Sequence, residues 1–144
     1  MNNIRIEQIT DFDESLIDPI NSLLKQLTSH NMSFTEQALR EIIESNASRL
    51  FILFFNEKVA AMLTLGFYSA PTSRKAWIED VVVDIEFRGN GFGRKLVQHA
   101  IDYTRNLSPI TLMLTSNPQR KEANALYQTE GFEQRCTNVY KMEL

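Results

Sequence analysis

Cysteine is almost missing from this sequence. The single Cys136 excludes an intrachain disulfide framework and any metal site built from several thiolates, and it fits a reducing compartment. Positive charge is also scarce: 15 Lys and Arg face 18 Asp and Glu, for a formal net charge of −3. Sequence-independent nucleic-acid binders are usually strongly basic, so nucleic acid is disfavoured as a partner. Long apolar runs are lacking too. The longest, Leu50 to Phe55, has the length of a strand rather than of a membrane span. The N-terminal stretch, Met1 to Leu16, lacks the basic-then-apolar order of a secretory signal. Five Gly and four Pro leave no low-complexity linker, and no internal repeat is visible. The two histidines offer no metal-binding spacing.

What remains is ordinary globular composition, 43% hydrophobic and 23% charged over 144 residues. One domain over residues 1–144 has enough chain to bury its own core, and the expected location is the cytoplasm. Along the chain, Ile4 and Ile6 alternate with Arg5 and Glu7, which predicts a short strand. Leu16, Ile17, Ile20, Leu23, Leu24 and Leu27 fall at helical spacing and predict a helix over Glu14 to Thr28. Ser33-Phe34-Thr35-Glu36 has the form of a capping box, predicting a second helix from there to about Asn46 that buries Leu39, Ile42 and Ile43. Arg49 to Phe55 and Val59 to Tyr68 read as a hairpin about Asn56-Glu57-Lys58. A loop with Pro71 precedes a Val-rich strand, Trp77 to Asp84.

A third helix over Arg94 to Arg105 turns Leu96, Val97, Ala100, Ile101 and Thr104 inward and His99 toward solvent. A strand over Ile110 to Thr115 follows Pro109, and a helix over Lys121 to Glu130 stops at Gly131. Finally, Val139, Lys141 and Glu143 alternate against Tyr140, Met142 and Leu144, predicting a last strand over Thr137 to Leu144. The order is β-α-α-β-β-β-α-β-α-β. Short loops imply an antiparallel half, while the strand-helix-strand from Trp77 to Thr115 needs a parallel crossover. The expected fold is α/β: a mixed, twisted sheet with helices on both faces.

The run Arg88-Gly89-Asn90-Gly91-Phe92-Gly93 lies between a strand and a helix. A glycine-rich turn there aims several backbone N–H groups at one spot, and the helix N-terminus adds about half a positive charge. That is the form of an anion receptor, and phosphate is the expected anion. A nucleoside-triphosphate loop would end in Gly-Lys-Ser/Thr, but Gly93 is followed by Arg94-Lys95-Leu96. The dinucleotide turn needs Gly-x-Gly-x-x-Gly in an N-terminal unit, and these glycines are spaced two apart.

With its flanks, the run resembles the GCN5-related N-acetyltransferase (GNAT) family, whose acetyl-CoA signature is Arg/Gln-x-x-Gly-x-Gly/Ala. The strand Ile78 to Asp84 is similar to that family's fourth strand. Ala123-Asn124-Ala125-Leu126-Tyr127 followed by Gly131-Phe132 looks like its Ala-x-x-Leu-Tyr…Gly-Phe ending. The resemblance implies that the backbone of Arg88, Gly89, Asn90, Gly91, Phe92, Gly93 and Arg94 holds the pyrophosphate of acetyl-CoA. Val81, Val82 and Val83 would run beside the pantetheine arm, and Tyr127 would be the general acid toward the CoA sulfur. Tyr127 also reads as a core residue on a helix flank. Glu79, placed by alternation on the face of Trp77 and Val81, is a candidate base because a carboxylate among apolar neighbours is costly unless paired or wet. Asp80 is the alternative base, and a structural hydrogen bond accounts equally for either.

One position departs from the family pattern. The Asn often found seven residues before the tyrosine is Arg120 here, which leaves Asn117 or Asn124 for that role. Alternatively Arg120 and Lys121 meet the adenosine-side phosphate. For the acceptor, the resemblance directs attention to His30, Asn31 and Phe34, with Phe67 and Tyr68. Each of these reads also as a packing or surface residue. Cys136 has no nearby His, which disfavours an acetyl-cysteine intermediate.

The implied activity is acetyl transfer from acetyl-CoA to a primary amine of a small molecule or peptide, by direct attack in a ternary complex without a metal. Two other readings stay open: a non-catalytic acyl-CoA sensor of the same fold, and an acetyltransferase toxin acting on charged tRNA, which a pI near 5.4 disfavours. The acceptor, and the choice between monomer and homodimer, are open at this level.

Overall fold

The apolar runs on either side of Asn56 form the hairpin that sets the sheet. In β2 (Ser48–Phe55), Phe51 and Leu53 enter one core, while Leu50 and Ile52 enter another on the opposite face. In β3 (Lys58–Ala70), Leu63 and Leu65 join the first core and Met62 the second. Burial on both faces is why these strands read as continuous apolar runs rather than as clean alternation. The turn between them needs left-handed backbone at both central residues, and Asn56 (φ 49°) and Glu57 (φ 68°) supply it. Arg5 Nη1 holds the Glu57 carboxylate at 2.6 Å, and the Asn56 amide oxygen accepts from the Asn3 N–H at 2.8 Å.

The computed structural model describes residues 2–144. Around the hairpin lie β1 (Ile4–Gln8), β4 (Ser73–Val83) and β5 (Thr111–Leu114), giving a five-stranded sheet in the order β1-β2-β3-β4-β5. All neighbours are antiparallel except β4 and β5, which run parallel. The helices are α1 (Ile17–Leu27), α2 (Glu36–Glu44), α3 (Phe92–Arg105) and α4 (Lys121–Thr129), with short 3-10 turns at Glu14–Leu16 and Ile85–Phe87. The core holding Leu16, Ile20, Leu23 and Leu39 lies under α1 and α2. The core holding Leu96, Val97, Ala100 and Tyr127 lies under α3 and α4. The mixed α/β architecture therefore stands as expected. Among the described residues, no helix is long and apolar enough to cross a membrane.

Several boundaries differ from the sequence reading. The second helix does not begin at Ser33. Asn21 grips Phe34 on both backbone groups: its Nδ2 donates to Phe34 O at 2.9 Å and its Oδ1 accepts from Phe34 N at 2.8 Å. Helical geometry therefore starts only beyond Phe34, with Thr35 as N-cap, its Oγ1 accepting from Ala38 N at 3.1 Å. The helix ends at Glu44 rather than near Asn46. β4 begins at Ser73 instead of Trp77, because Ala70 pairs with Ser73 across the Pro71-Thr72 turn. The expected last strand, Thr137 to Leu144, is not formed. A strand needs a ladder partner, and this segment makes no backbone hydrogen bond to the sheet. β5 is left as the sheet's edge.

The cap assignment is testable by urea denaturation. Thr35→Ala should cost about 1 kcal/mol, the usual loss for an N-cap hydroxyl, whereas Ser33→Ala should lie within about 0.5 kcal/mol of the parent.

Candidate active site

β4 pairs with β5 only from Lys75↔Thr111 to Ile78↔Leu114, so Glu79–Val83 continue with no partner on that side. The same stretch carries a bulge. On β3, Met62 faces Val82 and Thr64 faces Glu79, so Leu63 alone spans both Asp80 and Val81. Asp80 absorbs the extra residue with a left-handed φ of 52°, which is uncommon for any residue but glycine, though least so for Asp and Asn. The bulge flips the alternation. Ile78, Val81 and Val83 all pack with the α3–α4 core, whereas Val82 packs under α1 and α2.

Glu79 consequently does not share a face with Val81, as simple alternation had placed it. Its partner Thr64 sits between Leu63 and Leu65, which face α3, so Thr64 and Glu79 face the α1–α2 side. Burial raises the Glu79 carboxyl above its ordinary range, and the neighbouring Asp80 charge adds to the rise. Burial raises Asp80 in the same direction. Both side chains are exposed overall, so neither is sealed in the core.

Beyond β4, Asp84 caps the 3-10 turn and Arg88 Nε donates to Val83 O at 3.0 Å, folding the loop back on its strand. Asn90 Nδ2 ties the loop to Phe87 O at 2.8 Å. Gly89 (φ 86°) and Gly91 (φ 76°) take left-handed backbone, and Gly91 is the N-cap of α3 with no side-chain cap bond. The first N–H to close a helical bond is that of Lys95, to Gly91 O at 3.1 Å. The N–H groups of Phe92, Gly93 and Arg94 therefore stand as free donors at the positive end of the helix dipole. Gly93 lies against β4 and α4: a Cβ there would meet Val83 Cγ2 at 3.6 Å and Leu126 Cδ2 at 3.9 Å.

Two residues of this turn contribute backbone only. The Phe92 ring is buried at 2% exposure and packs on Phe55. The Arg94 guanidinium is taken by Glu130, with Nη1 to Oε1 at 2.7 Å, which pins the start of α3 to the end of α4.

Tyr127 projects from α4 into the α3 core at 7% exposure, with Phe132 edge-on at 6.0 Å. Its hydroxyl has no hydrogen-bond partner among the described residues. Burial raises the phenol above its usual value, and Arg120 opposes that rise, which places the Arg120 charge near the ring. Asn117 and Asn124 are bound to each other, Asn124 Nδ2 donating to Asn117 O at 3.0 Å, while Asn117 Oδ1 accepts from Gln119 N. They hold the loop before α4. Sequence reasoning missed Ser116, whose Oγ is buried without a partner at the end of β5. Nothing in the spacing of the chain could have revealed an unpaired hydroxyl.

The expected acceptor residues are not gathered into one place. Phe67 packs with the α3 core beside Tyr103, whereas Tyr68 emerges on the opposite face and accepts from Trp77 Nε1 at 3.2 Å. Phe34 is tied down by Asn21 and packs under α1 and α2, while His30 is exposed in the loop. His99 is half-buried rather than fully turned to solvent. It packs edge-on against Phe51 at 4.9 Å. A concavity of about 1040 Å³ is lined by residues such as Glu7, Asp13 and Phe87 and includes none of α4 or β5. Glu79 and Asp80, the two carboxyls raised by burial, sit instead where β4 parts from β5. Among the described residues, no group of three or more His, Cys, Asp or Glu is arranged to hold a metal.

Residues 18–132 match the acetyltransferase (GNAT) family profile. The chain is 29% identical over 126 residues to the uncharacterized N-acetyltransferase YhdJ of Bacillus subtilis, covering 86% of this chain and 87% of that protein. It is 30% identical over 135 residues to the thialysine N-epsilon-acetyltransferase of Caenorhabditis elegans, covering 92% and 84%. Its fold matches a putative acetyltransferase from Agrobacterium tumefaciens at a TM-score of 0.84, with 22% identity and coverage of 96% and 99%.

The local geometry sets two stability outcomes. Gly91→Ala forces a Cβ into left-handed backbone and should cost about 1–2 kcal/mol, whereas Gly93→Ala meets only ordinary contacts and should melt close to the parent. Because burial disfavours ionised Glu79, its native carboxyl titrates above the unfolded one, so its ionisation lowers stability as pH rises through that range. Glu79→Gln should therefore raise the melting temperature at neutral pH, and the gain should vanish in acid, where both forms are uncharged. A loss at neutral pH would contradict the burial cause.

Proposed function

The chain belongs to the acetyltransferase (GNAT) family and is an acetyltransferase, and from that premise we propose that it transfers the acetyl group of acetyl-CoA to a primary amine. The transfer is a direct attack in a ternary complex, carried by a single domain over residues 1–144 in a cytoplasmic setting. The acceptor is a small molecule or a peptide amine. The relative from C. elegans acts, as its name states, at the ε-nitrogen of thialysine, which supports an amine acceptor.

One observation supports this reading: Gly93, among the unbonded N–H groups that open α3, lies against Val83 of β4 and against Leu126, the residue before the unpaired Tyr127 phenol. The residues fit acetyl-CoA. The donors of Phe92, Gly93 and Arg94 suit a pyrophosphate, and the left-handed glycines let it approach the backbone. The edge of Val81–Val83 has no strand partner and, apart from Val83 O, which Arg88 Nε takes, suits the amides of a pantetheine arm; the buried Ser116 hydroxyl offers a further partner.

Glu79 and Tyr127 lie on opposite faces of the sheet, and the gap between β4 and β5 joins the two faces. The thioester reaches the gap from the α3–α4 side and the amine from the α1–α2 side. A primary ammonium has a pKa near 10, so it must lose a proton before attack. Glu79 takes that proton, directly or through water, and Asp80 is the alternative. The amine nitrogen bonds to the thioester carbon, the C–S bond breaks, Tyr127 gives its proton to the departing sulfur, and the second proton shed by the acylated nitrogen returns through water to the phenolate. A phenol raised by burial stays protonated through neutral pH, as a general acid requires.

Steady-state kinetics with a panel of amines, read by thiol release, tests the proposal. Tyr127→Phe should lower kcat by about 10²-fold or more with the KM for acetyl-CoA retained. An unchanged kcat removes Tyr127 as the acid. The rate should fall as pH drops below the raised Glu79 value, because a base must be ionised, and Glu79→Gln should remove that limb. Initial-rate lines should intersect; parallel lines would refute direct attack.

A further inference from the structure

Proton donation by Tyr127 leaves a phenolate, and the surroundings of that phenolate are apolar. The core it enters is built from side chains such as Val97 and Ala100 of α3, Val81 and Val83 of β4 and Leu114 of β5. An anion formed there is costly unless a cation or a donor stands close by. Most charges on the packed elements are not available for that task. On α3, Arg94 is held by Glu130, and Lys95 lies on the β1 side with Ile4 and Ile6. Beyond β4, Arg88 Nε is taken by Val83 O, while Glu79, Asp80 and Glu133 are acids. β5 carries no charge over Thr111–Leu114.

One cation remains. Arg120 is the N-cap of α4 and precedes Tyr127 by seven residues, close to two helical turns. The two positions therefore fall on one side of α4, about 10 Å apart along its axis, whereas Lys121 and Glu122 leave it on other sides. Helical side chains lean toward the N-terminus, so the phenol points to the Arg120 end. Three bonds fix the backbone there. Arg120 N donates to Asn117 O, its carbonyl accepts from Asn124 N, and Asn124 Nδ2 closes on Asn117 O, each at 3.0 Å. The guanidinium itself makes no ion pair or hydrogen bond among the described residues, and its charge acts on the phenol against the effect of burial.

Local stability does not account for an arginine at this position. An N-cap favours Ser, Thr, Asp or Asn, and the helix dipole disfavours a cation at that end. A residue placed against its local preference marks a site with another demand on it.

We propose that Arg120 is a positioning residue for the acid step, its guanidinium drawing up to the Tyr127 oxygen and balancing the charge left there. This role rests on the reading of Tyr127 as the acid. The electron pair of the C–S bond goes to sulfur, the phenolic proton follows it, and the negative charge passes to the Tyr127 oxygen. The proton shed by the acylated nitrogen then restores the phenol through water. Burial alone makes the phenol a poor match for a thiol, whose ordinary pKa is roughly 8.5, and the cation narrows that gap.

Kinetics and titration of the full chain test this role. Arg120→Gln should lower kcat about tenfold with the KM for acetyl-CoA within about twofold of the parent. It should also move the alkaline limb of kcat to higher pH, because the phenol then holds its proton longer. Arg120→Lys keeps the charge and should recover most of the rate. In the free protein, ring-carbon NMR of labelled tyrosine, with Tyr127→Phe to identify the signal, should show Tyr127 titrating higher in Arg120→Gln. A raised KM at unchanged kcat would assign Arg120 to the cofactor phosphates and overturn the role. A lowered melt with a rate that Lys does not recover would make it structural instead. A Tyr127 titration unmoved by Arg120→Gln, in a chain that acetylates an amine, removes this role alone. If the parent acetylates no amine, the underlying reading falls and takes this role with it.

Discussion

Everything at the site depends on the parting of β4 from β5 beyond Ile78. Were the two strands paired to their ends, the backbone of Glu79–Val83 would be satisfied by β5 and no opening would connect the two faces of the sheet. The left-handed Asp80 makes the parting useful. By absorbing one residue it turns Val81 and Val83 toward the α3 core and leaves Glu79 facing the other side. A backbone conformation that L-residues avoid persists only where its surroundings over-determine it. Here Ile78 and Val82 hold it from both ends, buried in opposite cores.

The start of α3 obeys the same logic in reverse. Most helices satisfy an early N–H with a Ser, Thr, Asp or Asn cap. In α2 and in the 3-10 turns, Thr35, Asp13 and Asp84 fill that role. α3, like α1 and α4, has no side-chain cap bond; it follows a glycine turn, and its inner face is fully packed by Leu96, Val97 and Ala100. The helix can leave its donors open because its stability comes from burial rather than from its cap. The Arg94–Glu130 pair then fixes the distance between this open end and the helix bearing Tyr127.

Much of this was legible in the chain. The glycine turn, the Val-rich strand and the Leu-Tyr helix could be read in order because each rests on local chemistry: left-handed φ, two-residue alternation and helical spacing. What failed was non-local. Ser33 looked like a cap because Asn21, twelve residues earlier, is invisible to local pattern. Glu79 went to the wrong face because a bulge leaves no mark in composition when Asp, rather than glycine, adopts the strained angle. The final strand was patterned correctly, yet pattern says nothing about where its ladder partner lies. Phe67 and Tyr68 were grouped as neighbours, and adjacency in a strand is what separates them.

The grip of Asn21 on Phe34 divides the α1–α2 connection into a free part and a fixed part. Ser29–Ser33 lie on the free side, all of them exposed, while Thr35 onward is committed to the helix that seats Leu39 in the core. A change of length or sequence in the free part is stopped at the clamp and cannot shift the register of that helix. The connection therefore works as a replaceable cassette. Its surface can be rewritten while the sheet, the bulge and the glycine turn stay where they are.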